Sequence, residues 1–151
     1  MQSTNYVKIS SFFNKRIVEI IGLLTVLLSF FLLLSLSTYT LEDPNFIFPE
    51  NTKIHNLFGF YGSVISDLIL QSFGIISFLF CITIFFTGIL IIRYKKLENI
   101  LSNLFYSLIY IVSGSTIVST YKDDSFWLII NGNGGFVGRS IKEFIYSFNG
   151  S

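Results

Sequence analysis

The stretch HNLFGFYGSVISDLILQSFG, residues 55–74, runs directly into a long apolar segment. A single helix from Leu57 to Ile92 would contain roughly 36 residues and span about 54 Å at about 1.5 Å per residue. That length far exceeds the hydrocarbon core of a bilayer, which is about 30 Å thick. The segment must therefore break, and Gly74 is the position that best permits a sharp change of backbone direction. We predict a short amphipathic helix over residues 59–72, before the break.

The composition indicates an integral membrane protein. The chain has 151 residues, of which 52% are hydrophobic and 13% are charged, and its mean hydropathy is +0.68. A soluble domain contains about 25% charged residues, so charge is depleted about twofold here. Eighteen phenylalanines, together with long Ile and Leu runs, exceed what a soluble core of this size can bury.

Three segments have the roughly 20 apolar residues that a helix needs to cross a bilayer. They are residues 17–38, 73–92 and 100–120. The first is too long for the apolar core of a signal peptide, and no small-residue cleavage pattern follows it, so we interpret it as a retained anchor. The third is rich in Ser and Thr, which suits either close packing between helices or hydrogen bonds to its own backbone. Both interpretations stay open at this point.

The basic residues predict the orientation of these spans. Six of the ten Lys and Arg residues lie in two short segments, whereas four are spread over the long polar regions 39–72 and 121–151. By the positive-inside rule, residues 1–16 and the turn after the second span are cytoplasmic, and the two long regions are external. The six orienting cations are Lys8, Lys15, Arg16, Arg93, Lys95 and Lys96.

An internal repeat relates the two halves of the chain. Residues 59–74 align without gaps with residues 135–150, with six identical positions, and the triplet STY at 37–39 recurs at 119–121. Both blocks occur in the same order at the end of a span, which favours a duplicated two-span unit. The second copy predicts an amphipathic helix over residues 135–148. Because the sequence ends where its returning span would begin, we expect a truncated four-span module.

The predicted fold is therefore an all-α integral membrane protein. It has three transmembrane helices and two amphipathic helices at the membrane interface, arranged as a truncated tandem repeat of a two-span unit. The amphipathic helix of the first copy carries a polar stripe that includes Ser63, Asp67 and Gln71. We interpret Asp67 and its aligned counterpart Glu143 as solvated or helix-capping acids rather than functional intramembrane acids.

The pattern around the first amphipathic helix resembles the N-terminal four-span membrane region of FtsK-type DNA translocases. That family shows a Ser/Thr-Tyr…Asp-Pro turn after its first span and an Asn-x-x-Gly-x-x-Gly…Asp…Phe-Gly pattern before its second. The sharp motifs lie within residues 37–74 and 133–150. The matching positions are Tyr39, Asp43, Pro44, Asn56, Gly59, Gly62, Asp67, Phe73 and Gly74, then Gly135 and Gly138, with Glu143 aligned to Asp67 in the repeat.

The resemblance implies a role in anchoring at the bacterial inner membrane during cell division. In the family this region tethers a cytoplasmic hexameric ATPase at the division septum, where the motor moves chromosomal DNA. It therefore implies a homo-oligomer, a hexamer by analogy, with the bilayer and division-site proteins as partners. The chain contains no GxxxxGK[ST] phosphate loop. We accordingly expect no ATPase activity and no direct nucleic-acid contact from this segment.

No catalytic, cofactor or metal site is predicted. His55 is the sole histidine, and no Cys, Asp or second His stands at ligand spacing from it. The sole cysteine, Cys81, lies in an apolar run, which excludes an intramolecular disulfide and favours a packed thiol. Glu19 lies just inside the first span, where it can reach the headgroups or pair with Lys15 one helical turn away.

Two functional classes compete at this stage, with an inactive gene fragment as a third possibility. One is a non-enzymatic anchor of a DNA translocase, and the other is a small transporter or channel subunit built from duplicated two-span units. A permeation pathway requires charged or strongly polar groups near the middle of the bilayer. The centres of the first two spans offer only Thr25, Ser29, Ser77 and Thr83, which favours the anchor.

Overall fold

The computed structural model describes residues 2–45, 53–97, 100–122, 124 and 128–149, with side chains described within residues 13–148. In that part of the chain the secondary structure is entirely helical, as predicted. The elements are α1 (Gln2–Ser37), α2 (Gly59–Phe73), α3 (Ile76–Tyr94), α4 (Ile100–Tyr121) and α5 (Gly135–Asn149).

Three of these helices are long and apolar enough to cross a membrane, which confirms the expected number of spans. The candidate spans are Phe13–Ser37, Ile76–Tyr94 and Ile100–Tyr121. Helix α1 begins at Gln2 rather than near residue 17, because no glycine or proline occurs before Gly22 to interrupt it. The segment predicted as residues 1–16 is thus largely a helical extension of the first span.

Gly74 forms the break between α2 and α3. Its φ of 64° and ψ of −148° fall in a region that is essentially restricted to glycine. The N–H of Gly74 donates to the carbonyl of Leu70 at 2.8 Å and closes the last turn of α2. Helix α3 consequently begins at Ile76, three residues after the predicted start at residue 73.

Helices α1 and α3 form a closely packed antiparallel pair. A Cβ atom on Gly88 would lie 2.9 Å from the backbone N of Val26 and 3.0 Å from the carbonyl O of Gly22. Further along the pair, Ser29 Oγ donates to the carbonyl of Cys81 at 2.7 Å. The two backbones therefore approach as closely as small side chains allow, an arrangement that is common between membrane helices.

An ion-pair cluster joins the two helices at one end. The carboxylate of Glu19 pairs with Arg16 at 2.6 Å and with Lys95 at 2.5 Å. Of the two alternatives for Glu19, the structure does not show the pairing with Lys15, and contact with headgroups stays a prediction. Lys95 lies at the end of α3, where its backbone has a left-handed conformation with φ of 54°.

The main buried cluster lies at the other end of α1. Leu36, Leu70 and Leu128 are fully buried there, next to Tyr39 and Cys81. The remaining helix surfaces expose large apolar side chains. Such a distribution suits a protein that is surrounded by lipid along its spans, because apolar exposure there has no hydrophobic cost.

The two halves share the same local turn before their short helices. Gly59 and Gly135 both have positive φ, at 61° and 68°. The N–H of Gly59 donates to the carbonyl of Asn56 at 2.9 Å, and the N–H of Gly135 donates to that of Gly132 at 3.2 Å. These bonds occupy aligned positions in the two copies, and α2 and α5 have the same length of 15 residues. The shared geometry supports an internal duplication.

Candidate functional site, a polar network after the first span

The carboxylate of Asp43 holds together two segments of the loop between α1 and α2. Its side chain is only 1% exposed. Oδ1 accepts a hydrogen bond from the backbone N–H of His55 at 2.7 Å and lies 3.1 Å from Nδ1 of the same residue. Oδ2 accepts from the backbone N–H of Asn56 at 2.8 Å. A buried carboxylate is retained only where donors satisfy it, and here the backbone supplies them.

Asn56 connects this loop to the end of α1 and the start of α2. Its Nδ2 donates to the carbonyl of Ser35 at 2.9 Å, and its Oδ1 accepts from the N–H of Phe58 at 3.1 Å. Ser35 Oγ in turn donates to the carbonyl of Gly62 at 2.6 Å. A Cβ on Gly62 would overlap Oδ1 of Asn56. Glycine at this position therefore makes room for the asparagine that satisfies an orphan carbonyl of α1.

Gly59 and Pro44 both stabilise the connection between α1 and α2, Gly59 through its backbone conformation and Pro44 through a hydrogen bond. A Cβ on Gly59 would meet nothing within 4 Å, so glycine is favoured there by its positive φ and not by crowding. The carbonyl of Pro44, which is buried, accepts a hydrogen bond from Ser63 Oγ at 2.7 Å. That bond fixes the loop after α1 against the inner face of α2.

Tyr39 and Asp67 form the second part of the network. The hydroxyl of Tyr39 donates to Oδ1 of Asp67 at 3.0 Å and accepts from Nε2 of Gln71 at 3.1 Å. Nδ2 of Asn45 donates to Oδ2 of Asp67 at 3.1 Å. Burial raises the pKa of Tyr39 above its ordinary value, and the nearby carboxylate of Asp67 adds to the shift. The phenol therefore remains a neutral donor.

The polar stripe of α2 faces the protein, which corrects the expectation of a solvated Asp67. Ser63 and Ser66 are buried, whereas Tyr61 and Leu68 on the opposite face are 76% and 64% exposed. The polar side chains turn inward because the end of α1 and the loop after it present groups that need hydrogen-bond partners. Glu143, the aligned acid of α5, is exposed, so the two acids have different surroundings.

The network continues into the second half of the chain. Oε1 of Gln71 accepts from Nδ2 of Asn131 at 2.9 Å, and Ser115 Oγ donates to the carbonyl of Phe73 at 2.9 Å. A Cβ on Gly135 would lie 2.5 Å from the backbone N of Gly74. The start of α5 therefore packs directly against the break between α2 and α3.

Helix α5 also packs closely on α4 through glycines. A Cβ on Gly138 would overlap the carbonyl of Ser115, and one on Gly134 would lie 2.6 Å from Cβ of Ser119. This contact explains part of the Ser-rich character of α4. Ser113 Oγ instead donates to the carbonyl of Ile109 in its own helix at 2.7 Å. Both interpretations of the Ser and Thr content of this span thus apply, to different residues.

The orienting cations collect at the opposite end of the molecule. The Glu19–Lys95 pair brings the start of the first span beside the turn after α3. The guanidinium of Arg93 lies 5.6 Å from the ring centre of Tyr94. Lys15, Arg16 and Lys96 have exposed side chains, and the side chain of Lys8 lies outside the described residues.

The chemistry of this site is structural. Its donors and acceptors bond to one another. Within the described residues, no group of three His, Cys, Asp or Glu side chains could hold a metal ion. Residues that the sequence motifs did not single out also contribute, notably Ser35, Gln71 and Asn131. Their only signal in the sequence is the position of a polar side chain beside an apolar run.

Comparison with known protein families assigns the chain to a family. The family described as the 4TM region of DNA translocase FtsK/SpoIIIE matches residues 14–151. The chain belongs to this family. It is accordingly an FtsK-family membrane region and a membrane protein, and the match is to the membrane region rather than to a motor domain. No solved structure gives a significant match.

Three relatives illustrate the extent of the similarity, and each carries the name DNA translocase FtsK. The protein of Rhizobium meliloti (strain 1021) is 26% identical over 148 residues, covering 98% of this chain and 17% of the relative. That of Rickettsia prowazekii (strain Madrid E) is 30% identical over 135 residues, covering 87% and 16%. That of Agrobacterium fabrum (strain C58) is 23% identical over 146 residues, covering 95% and 16%. The chain thus spans about a sixth of their length.

Proposed function

We propose that this chain is a non-enzymatic membrane anchor and assembly module of a cell-division DNA translocase. It tethers a motor, which lies outside these residues, to the division site during chromosome segregation. Its partners are the lipid bilayer, further copies of itself in a hexamer, and division-site proteins. It makes no direct contact with nucleic acid.

One observation carries this proposal. A family defined by the membrane region of DNA translocases matches almost the whole chain, from residue 14 to residue 151. The chain itself has no phosphate-loop motif. In this proposal, these residues attach the protein to the membrane, and the motor hydrolyses ATP and moves DNA.

The test replaces the membrane region of a host FtsK-type translocase with residues 1–151 of this chain and adds a fluorescent tag. We expect the tagged chimera to collect at the septum and to restore chromosome segregation. The motor without any membrane region serves as the negative control. A signal spread evenly over the membrane, with segregation no better than in that control, would contradict the proposal.

The same proposal places the N-terminus and residues 93–96 in the cytoplasm of a bacterium, with the chain in the inner membrane. The Glu19–Lys95 ion pair supports a common location for the two basic segments, and the positive-inside rule assigns the side. A reporter fused after Ile92 should report a cytoplasmic location, and one fused after Asp124 an external location. The reverse pattern would overturn this orientation.

A transporter or channel subunit receives less support. The four polar residues at the centres of the first two spans all make hydrogen bonds within the protein. Thr25 bonds the carbonyl of Ile21 at 2.8 Å, Ser77 bonds that of Ile69 at 3.1 Å, and Ser29 bonds that of Cys81. Thr83 bonds the carbonyl of Leu79 and the hydroxyl of Tyr110. Thr25 and Thr83 line a cavity of about 460 Å³ between α1, α3 and α4, but its lining is mostly apolar, so it does not form a polar path.

A further inference from the structure

The outer face of α2 is apolar although its inner face is polar. Tyr61 and Leu68 are 76% and 64% exposed, and helical spacing places Ile65 between them on the same face. The opposite face contains the buried residues Ser66 and Leu70. A helix that lies between a protein and water normally shows the reverse arrangement.

Helix α5 carries an aligned apolar stripe. The repeat pairs Tyr61 with Val137, Ile65 with Ile141 and Leu68 with Phe144, and it places Phe148 at the end of the stripe. Phe144 and Phe148 are 63% and 71% exposed, and their ring centres lie 5.2 Å apart. We call the two stripes together, Tyr61–Ile65–Leu68 and Val137–Ile141–Phe144–Phe148, the outer apolar faces.

In the first copy, the span that follows α2 does not cover this face. Helix α3 is the returning span of that copy, and with α3 in place Tyr61 and Leu68 remain largely exposed. In contrast, Leu70 is fully buried. The two exposed side chains of this face therefore point away from the protein, whereas Ile65 between them is partly buried against the core cluster. Something other than α3 must cover the exposed part.

Both short helices contact the protein near the ends of the spans. Helix α2 contacts Ser35 of α1 at Gly62 and the hydroxyl of Tyr39, just beyond the end of α1, at Gln71. Helix α5 contacts α4 at Ser115 and again at Ser119, whose carbonyl accepts a hydrogen bond from Lys142 Nζ at 2.8 Å.

We propose that the outer apolar faces are a lipid-binding surface, occupied by the glycerol and upper acyl-chain region of the adjoining leaflet. They continue the apolar surface of the spans, on which Leu34 and Ile117 are exposed at the same end. Their aromatic content suits the interface, where rings are enriched in membrane proteins. Ser63 and Ser66 on the opposite side of α2 bond inward, and Ser72 Oγ bonds the carbonyl of Leu68 in its own helix.

The side of α5 away from its phenylalanines is polar and charged. Helical spacing places Arg139, Glu143 and Ser147 on one side, away from Phe144 and Phe148. Helix α5 therefore directs its glycine edge to α4, its phenylalanines to lipid and its charged flank to water. This assignment concerns only lipid contact and holds whether or not a motor is attached.

The test uses the full chain with Cys81→Ala, reconstituted in vesicles of phosphatidylethanolamine and phosphatidylglycerol. Single cysteines at Leu68→Cys and Phe144→Cys carry an environment-sensitive fluorophore, and Glu42→Cys and Glu143→Cys are the matched water-facing controls. Each labelled variant is exposed to aqueous iodide and, separately, to lipids with a quencher high on the acyl chain.

We expect the labels at positions 68 and 144 to emit at shorter wavelength, to be quenched by the lipid-borne group and to show several-fold weaker iodide quenching than positions 42 and 143. Iodide quenching as strong as at the controls would overturn the proposal in favour of a water-facing surface. Protection from both quenchers would also overturn it, because a protein, such as a second copy of this chain, would then cover the face. Variants are compared only if their circular dichroism equals that of the Cys81→Ala parent.

Discussion

At the scale of single residues, Asp43 combines near-complete burial with two backbone donors from adjacent residues, His55 and Asn56, and a contact with Nδ1 of His55. Asp43→Ala removes these contacts and leaves the two backbone N–H groups without their partners. A buried donor left unsatisfied costs about 1–3 kcal/mol, so we expect a loss of unfolding free energy in that range. The measurement is a denaturant titration in detergent micelles, followed by circular dichroism.

Glu42→Ala is the control for Asp43→Ala, because Glu42 is the neighbouring acid and is exposed. It removes the same charge from the loop without touching the network. An equal change in unfolding free energy for the two variants would show that charge, rather than the buried hydrogen bonds, determines the effect.

Tyr39 provides a prediction about pH. Burial raises its folded-state pKa above the unfolded value of about 10, so folding disfavours the phenolate. Its contribution to stability is complete below pH about 10 and is lost as the pH rises from there towards the folded pKa. We expect the stability difference between wild type and Tyr39→Phe to shrink above that pH. Tyr61→Phe, at an exposed position, should show no such trend, and parallel curves for Tyr39→Phe would contradict the assignment.

The residues of this network were recognisable individually but not as partners. Tyr39, Asp43, Asn56 and Asp67 appear in the sequence as motif positions, yet Tyr39 and Asp67 bond across 28 residues of chain. Spacing along a sequence predicts neighbours within one helix, whereas these contacts depend on how the loop folds back over the end of α1. The hydrogen-bond partners therefore required the structure.

At the scale of elements, the three spans follow directly from hydropathy, because only a helix satisfies its own backbone in lipid. Hydropathy does not show which face of α2 packs against the protein. An amphipathic pattern identifies two faces, and assigning the polar one to water assumes that the protein offers an apolar surface. Here the end of α1 offers Ser35 and Tyr39 instead, so the polar face turned inward.

The contact between α1 and α3 leads to the next prediction. Any side chain at Gly88 would meet backbone atoms of Val26 and Gly22, which cannot move without separating the helices. We expect Gly88→Val to lower the unfolding free energy by about 1–3 kcal/mol, the usual cost of overpacking. The measurement is an SDS titration of the reconstituted protein.

Ile89→Val is the matched control for Gly88→Val, since it places the same side chain at the next position, where the residue is exposed. Its effect should be close to zero. If the two variants unfold at the same SDS fraction, the backbones of α1 and α3 do not approach as closely as described. A glycine in each of two apolar runs is the feature of the sequence that relates to this contact, and it does not identify the partner residues.

At the scale of the whole molecule, the two halves meet through backbone contacts as well as through side chains. The N–H of Ile75 donates to the carbonyl of Asn133 at 2.9 Å, and a Cβ on Gly74 would overlap that same carbonyl. The repeat suggested that the halves are alike but not how they join. The halves join at the glycine break. Gly74 is the last residue of the first repeated segment and Gly135 is the first residue of the second, and the two pack against each other.

Gly74→Ala therefore tests the junction. The added methyl group would meet the Asn133 carbonyl, and the glycine-restricted backbone conformation of Gly74 adds strain, so the halves must separate locally. We expect faster hydrogen exchange in peptides covering residues 70–78 and 130–138, where the Ile75 and Gly135 amides lie, with little change in residues 101–112. Gly114→Ala is the control, because its Cβ would meet only side-chain atoms of Ile76, at 3.2 Å or more. Unchanged exchange around Ile75 in Gly74→Ala would mean that the two halves are held together elsewhere, and the Gln71–Asn131 hydrogen bond would then be the contact to remove next.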